Sequence, residues 1–359
     1  MPTFTPIKLI LEDSSEYTGL SFGAEISSAG EVVFNTGMVG YPETFTDPSY
    51  RGQILVLTYP LIGNYGVPKN EKDAHGIEKQ FESSRIHIKG LIVSDYSRNH
   101  HHWNAKKSLS EWLIEENIPA ITGIDTRALT QKIREKGTML GKIIPSKQND
   151  LPFYDPNNEN LVREVSRKQP KTYKKGEKSV ILIDTGAKNN ILRSLLARNI
   201  TVHRVPWNYD FFQKKLKFDG IILSNGPGDP MAVKETHAIS QIALGKKIPI
   251  FGICLGNQIL AIAAGAKTYK LKYGHRSQNQ PVKDLRTSRL YVTSQNHGFA
   301  VDAKTLPSDW EVWFENINDG TVEGIRHKSL PWSAVQFHPE ATPGPVDTGF
   351  LFDEFIKTL

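Results

Sequence analysis

A single cysteine in 359 residues rules out an intrachain disulfide, so an oxidising compartment is neither required nor indicated. No apolar run approaches the ~20 residues that a membrane span needs. The N-terminal stretch MPTFTPIKLILEDSSEYTG has no basic segment leading into a continuous apolar one, so no secretory leader is read and a cytoplasmic location is expected. Internal repeats and low-complexity tracts are lacking. So is a G-x-x-x-x-G-K-[ST] loop, and NGPGDP carries no lysine, which argues against a nucleotide site. The net charge of +6 raises the question of nucleic acid, but the densest basic stretch, REVSRKQPKTYKKGEK (163–178), is interrupted by Glu164, Pro170, Gly176 and Glu177 and has only Tyr173 for stacking. It reads as a solvated connector. His100, His101 and His102 are consecutive, and adjacent side chains converge poorly on one ion, so they read as a surface loop and no metal site is expected.

What remains is a globular chain, 38% hydrophobic and 23% charged, long enough for two domains. Up to about residue 146 short strand-like runs dominate: EISSAGEVVFNT reads as a hairpin turning near Gly30, and QILVLTYP and GLIVSDYS read as strands. SLSEWLIEENI and TRALTQKIREKG read as amphipathic helices, the second with Asp125 or Thr126 as N-cap and Gly137 as its end. Residues 147–178 are polar and proline-dotted, as a linker would be. From residue 179 to 359 the rhythm becomes apolar run, helix, apolar run: SVILID, NNILRSLLARN, ITVHRVP, YDFFQKKLK, DGIILS, ETHAISQIALG, IPIFGI. Continuous apolar strands alternating with helices predict a doubly wound, mostly parallel α/β sheet, behind a mixed β-rich α/β N-terminal domain. Ligands on such sheets sit beyond the carboxyl ends of the strands.

The lone thiol falls at one of those ends, in the order strand, G-I-C-L-G, helix. Gly252 and Gly256 flank Cys254 where a sharp strand-to-helix turn has no room for side chains, the device of a nucleophile elbow. A helix N-terminus there favours thiolate, and its N–H groups, beginning with Leu255, suit an oxyanion. A thiolate nucleophile needs a base and an orienting group. WSAVQFHPEAT offers His338 at a strand end and Glu340 two residues on, giving a Cys-His-Glu triad. SNGPGDP (224–230) follows another buried strand and places Gly226 and Gly228 toward the same crevice, while SQNHGFAVD (294–302) reads as a strand ending in a polar turn.

SNGPGDP, G-I-C-L-G-x-Q, QNHGFA and HPEA, in that order, resemble the class I glutamine amidotransferases over about residues 179–359. GMVGYPETFTDPSYRGQILVLTYPLIGNYG (37–66) and GIDTRALTQKIREKG (123–137) are similar to the N-terminal domain of the small, glutaminase subunits of carbamoyl phosphate synthetases. The resemblance implies Cys254 as nucleophile, His338 as general base and Glu340 as its orienting acid. It implies glutamine binding by Ser49, Gly226, Gly228, Leu255, Gln258, Asn296, Gly298 and Phe299, with Ser49 coming from the first domain. It also implies release of ammonia through a γ-glutamyl thioester, no metal or organic cofactor in this chain, and delivery to a large subunit that uses ATP and Mg with bicarbonate. Neither nucleic acid nor membrane is an expected partner. Asn257, where many relatives carry His, and GHRSQNQPV (274–282), where they are richer in Gly and His, depart from the pattern. The alternatives are an amidotransferase subunit of another synthase, against which the first domain argues; a non-catalytic glutamine-binding module, against which the intact triad argues; and a thiol peptidase, which has no use for Ser49 or NGPGDP. His297 is left open between touching substrate and supporting its turn. His203, His237 and His275 read as incidental.

Overall fold

The computed structural model describes residues 5–214 and 216–359, which divide into two compact units, Met1–Glu159 and Asn160–Leu359. In the first, the strands are β1 (Pro6–Leu11), β2 (Glu16–Ser21), β3 (Ser28–Asn35), β4 (Gln53–Leu57), β5 (Val67–Pro68), β6 (Gly90–Val93), β7 (Ala105–Lys107), β8 (Ala120–Thr122) and β9 (Met139–Pro145). Its helices are α1 (Tyr41–Thr46), α2 (Leu109–Glu115) and α3 (Thr126–Lys136). Seven strands close into a barrel in the order β1-β2-β8-β6-β4-β3-β9, with β5 and β7 paired separately. Closure leaves no barrel edge unpaired. The core joins Phe22, Phe45, Leu55, Leu91 and Trp112, all buried. Ser108 caps α2 in a reciprocal box with Glu111, and Asp125 accepts from Ala128 N at 2.9 Å to start α3.

The hairpin expected at Gly30 is absent: Ser28–Asn35 is one uninterrupted strand. Gly30 marks a close approach instead, since a Cβ there would lie 2.3 Å from the carbonyl oxygen of Gly52. A glycine inside an alternating run signals either a turn or crowding, and only the neighbouring backbone decides which.

The second unit adds α4 (Val162–Val165), β10 (Lys171–Tyr173), β11 (Ser179–Asp184), α5 (Asn189–Ala197), β12 (Thr201–Pro206), β13 (Gly220–Leu223), α6 (Lys234–Gly245), β14 (Ile250–Ile253), α7 (Leu255–Ala264), β15 (Thr268–Asp284), β16 (Leu290–Val301), β17 (Trp310–Asn316), β18 (Val322–His327), β19 (Trp332–Val335) and α8 (Phe350–Ile356). One ten-stranded sheet runs β10-β12-β11-β13-β14-β19-β18-β17-β15-β16. β12, β11, β13, β14 and β19 are mutually parallel, and antiparallel strands extend both sides. The parallel centre has the double-sided burial that its unbroken apolar runs imply: β13 and β14 are buried at every position. YDFFQKKLK is not a regular helix; among its described residues only a 3-10 turn, Phe212–Lys214, forms. Phe211, Phe212 and the following Phe218 pack against one another there in tilted and edge-to-face contacts, so mutual aromatic packing, rather than one helical stripe, organises the segment. Among the described residues no helix is long and apolar enough to cross a membrane.

Candidate active site

Four of the parallel strands end at one rim of the sheet, and the loops that follow β11, β13, β14 and β19 carry the chemistry-bearing residues. Cys254 follows β14 directly and is the N-cap of α7, with φ 55° and ψ −104°. Positive φ is costly for a side chain other than glycine's and persists only where the surroundings enforce it. Here they do. A Cβ on Gly252 would lie 2.5 Å from Gly256 O, and one on Gly256 would lie 2.2 Å from Leu223 O. The two glycines therefore let α7 start directly against the ends of β13 and β14, and this proximity bends the backbone at the cysteine between them.

The thiol is 2% exposed, yet its surroundings are polar. Its sulfur lies 3.6 Å from the Asn296 carbonyl oxygen, to which the thiol donates, and accepts from Gln336 Nε2 at 3.7 Å. The other end of the Gln336 amide is held by two donors, Asn257 Nδ2 and Gln258 Nε2, each 3.1 Å from Oε1. Gln258 Nε2 also donates to Phe299 O at 2.9 Å, tying α7 to β16. The polar turn expected in SQNHGFAVD is absent, because Asn296, Gly298 and Phe299 lie inside the uninterrupted strand Leu290–Val301, held there by pairing with β15.

His338 follows β19 by three residues, and its backbone N–H donates to Ser294 O at 2.9 Å. Its Nδ1 lies 2.6 Å from Glu340 Oε1, a separation that places the proton on Nδ1 toward the carboxylate and turns Nε2 away from it. Lys188, from the loop after β11, approaches the same Glu340 oxygen at 3.1 Å and donates to Ala341 O at 2.5 Å. Asn190 also donates to the Glu340 carbonyl. These side chains are buried, which alone would push the imidazole down and the carboxyl up. The Glu340 charge, helped by the facing Cys254 sulfur, outweighs burial and Lys188 repulsion and pushes His338 up to about 10. Against the same desolvation, Lys188 and His338 bring Glu340 down to about 2. His338 is thus an imidazolium near neutrality. It lies close enough to Cys254 for the sulfur to favour its charge, although no hydrogen bond of ordinary length closes at Nε2. Catalytic contacts of this kind are often long before substrate arrives.

SNGPG follows β13. A Cβ on Gly226 would meet Thr185 O at 2.0 Å and the Leu255 side chain at 2.9 Å, so this loop lies against the start of α7; Gly228 has φ +84°. Asn225 Oδ1 accepts from Lys188 N at 3.0 Å, joining this loop to the one that carries the lysine. The structure thus brings together Cys254, His338, Glu340, Gly226, Leu255, Gln258, Asn296 and Phe299, with Gly228 two residues along the loop and Gly298 between Asn296 and Phe299 on β16. Ser49 belongs to the first unit, in a 3-10 turn where Asp47 accepts from its N–H at 2.9 Å. Sequence reasoning missed Lys188 and Gln336. Lys188 reads as part of a helix start, and Gln336 sits in an apolar run two residues before the histidine; a polar side chain inside SAVQF was the available signal for the latter.

A strained cysteine elbow on a parallel sheet, facing a histidine held by glutamate, defines the second unit as a thiol amidotransferase domain. Comparison agrees: the family Glutamine amidotransferase class-I matches residues 181–358, and Carbamoyl-phosphate synthase small chain, CPSase domain, matches residues 9–143. The chain belongs to the carbamoyl phosphate synthase small-chain family. It is 49% identical to the carbamoyl phosphate synthase arginine-specific small chain of Neosartorya fischeri, over 97% of this chain and 79% of that one. It is also 53% identical to the multifunctional protein CAD of Squalus acanthias, over 97% of this chain and 16% of that protein. With the human carbamoyl-phosphate synthase [ammonia], mitochondrial, it shares 50% identity over 98% of this chain and 23% of that protein. The chain therefore spans about a sixth to a quarter of the longer relatives it matches and about four-fifths of the small chain.

Proposed function

We propose that this chain is the glutamine-hydrolysing small subunit of a carbamoyl phosphate synthase, handing ammonia to a separate large synthetase chain that holds the ATP and bicarbonate chemistry. The observation that carries the reading is Cys254 at a positive-φ elbow beside a buried His338–Glu340 pair. Cys254 sulfur, as thiolate, attacks the side-chain amide carbon of glutamine. The developing oxyanion is met by N–H groups at the start of α7, Leu255 first, and by the Gly226 and Gly228 loop. Imidazolium His338 gives its Nε2 proton to the departing nitrogen, the C–N bond breaks, and ammonia leaves a γ-glutamyl thioester. Neutral His338 then takes a proton from water, whose oxygen attacks the thioester, and glutamate and thiolate are released with the imidazolium restored.

Two buried polar side chains support substrate entry here. Asn296 Nδ2 is buried without a hydrogen-bond partner, a state costing about 1–3 kcal/mol until a ligand relieves it, and His338 faces the Cys254 sulfur. Gln258, Asn296, Gly298 and Phe299 are assigned to the α-amino acid end of glutamine. Ser49 is assigned on the family resemblance, and Ser49→Ala is expected to raise KM for glutamine more than it lowers kcat. The deciding assay is glutamate release from glutamine by the wild type and by Cys254→Ala, alone and with the co-purified large chain. Wild-type turnover in Cys254→Ala would remove the nucleophile assignment, and no gain on adding the large chain would remove the partner.

A further inference from the structure

Beside Asn296 on β16, two histidines and a glutamate converge that the hydrolysis above does not use. His275 on β15 and His297 on β16 are directly opposed cross-strand partners, and Glu323 reaches them from β18. We propose that His275 Nδ1, His297 Nε2 and the Glu323 carboxylate form a binding site for one divalent cation of the zinc class, with Gln295 Oε1 as fourth donor.

The three ligand atoms lie within 4.8 Å of one another. His275 Nδ1 is 3.1 Å and His297 Nε2 3.8 Å from Glu323 Oε1. Bonds of roughly 2.0–2.1 Å to a tetrahedral ion require neighbouring donors about 3.4 Å apart, so these spacings bracket what such an ion needs. The outer contacts are those that metal-binding histidines use. His275 Nε2 is 2.8 Å from Asp319 Oδ2, and His297 Nδ1 is 2.8 Å from Phe299 O. Each contact holds a proton on the outer nitrogen and directs the other nitrogen inward.

A second observation points to a cation between them. His297 is enclosed by oxygen on both sides, Phe299 O at Nδ1 and Gln295 Oε1 at Nε2, 3.1 Å away. The Gln295 amide is not free to turn its nitrogen inward: Nε2 donates to Thr293 Oγ1 at 3.1 Å, and that hydroxyl already donates to Gln280 O at 2.9 Å. A neutral imidazole has one proton, so one of its nitrogens faces an oxygen, lone pair to lone pair. Glu323 Oε2 is likewise buried without a partner. A metal ion resolves both, at the cost of the proton His275 shares with Glu323. No sequence motif announces the site, because its ligands come from three strands.

The consequence falls on substrate. His297 is adjacent to Asn296, whose carbonyl accepts from the Cys254 thiol, so an ion here fixes the stretch of β16 to which glutamine binding is assigned under the proposed function. The test uses the full chain carrying Cys254→Ala, which removes the sulfur ligand, and His100→Ala, His101→Ala and His102→Ala, which remove the exposed histidine run. After chelation and dialysis it is titrated with Zn2+ and, separately, with Co2+. The expected results are one equivalent bound, tetrahedral visible bands with Co2+, and X-ray absorption of the Zn2+ form showing two imidazoles and no sulfur. Asp319→Asn, which leaves all ligands in place, is expected to weaken binding about ten- to a hundredfold. Absence of a bound equivalent in this folded protein, or a spectrum with fewer than two imidazoles, overturns the proposal. So does unchanged affinity in Asp319→Asn.

Discussion

Glu340→Gln tests the electrostatic core of the site, because it keeps the shape of the side chain and removes its charge. In the wild type, Glu340 outweighs burial and the Lys188 charge to push His338 up to about 10 against an ordinary value of 6.5. Without the carboxylate, burial and Lys188 both act in the opposite direction, so the imidazole is neutral at pH 7. A neutral His338 keeps its one proton on Nδ1, toward the side-chain oxygen at position 340, so Nε2 has none for the departing nitrogen and the ring has no charge with which to favour the thiolate; kcat for glutamate release is expected to fall by about 10²–10⁴. Breaking the buried Lys188–Glu340 contact also costs roughly 3–5 kcal/mol of folding stability, readable by urea unfolding. The double variant Lys188→Met with Glu340→Gln separates the two effects: stability is expected to recover substantially while turnover does not. Histidine NMR titration supplies the direct readout. A His338 signal still titrating near 10 in Glu340→Gln, or turnover within about twofold of wild type, would refute the electrostatic account.

The same pair sets a stability profile with pH. His338 is raised, so its contribution is full below about 6.5 and is lost as pH climbs through about 10; Glu340 is lowered, so its contribution is present above about 4.5 and lost as pH falls through about 2. In the first unit, burial and the charges of Arg85 and Arg51 hold His87 down to about 3, with Ser83 Oγ 2.9 Å from its Nε2. The His87 contribution to stability is then full above about 6.5 and falls toward pH 3 by up to ~1.4 kcal/mol per pH unit; His87→Gln should flatten that slope in pH-dependent chemical unfolding, and an unchanged slope would exclude His87 as its source. Gly256→Ala places a Cβ 2.2 Å from Leu223 O, a backbone atom, so α7 must shift and glutaminase activity should be lost together with about 1–3 kcal/mol of stability; a variant with wild-type melting and turnover would show that the elbow tolerates a side chain. Gln336→Met removes the donor to Cys254 and the acceptor for Asn257 and Gln258. It is expected to cost about 1–3 kcal/mol in urea unfolding and to lower turnover, and neither change occurring would dismiss this amide as a support for the thiol.

Much of the second unit could be read in advance because its signals are local. The stretches Gly220–Leu223 in DGIILS and Ile250–Ile253 in IPIFGI have no polar residue, so they must be buried on both faces, and the glycines around Cys254 announce a turn too sharp for side chains. Where the local signal was ambiguous, the reading failed. Gly30 was equally consistent with a turn or with a crowded strand, SQNHGFAVD reads as a strand ending in a turn but pairs with β15 as far as Val301, and YDFFQKKLK has enough apolar residues for a helix but spends them on tilted and edge-to-face aromatic contacts. Lys188 was invisible for a different reason: nothing in GAKNN says that a lysine will be buried against a carboxylate supplied from the far end of the chain.

The order of amino acids alone therefore determined the elements whose cause is short-range: the apolar strands, the capped helices, and the elbow that presents Cys254 at a helix start. Tertiary structure decided everything that depends on charge meeting charge across the sheet. The height of the His338 pKa, the pairing of Lys188 with Glu340, and the closing of His275, His297 and Glu323 on one point all arise from burial and from distances of about 3 Å between residues far apart along the chain. Electrostatic energy in a desolvated site changes steeply over such distances, and only the packed fold sets them.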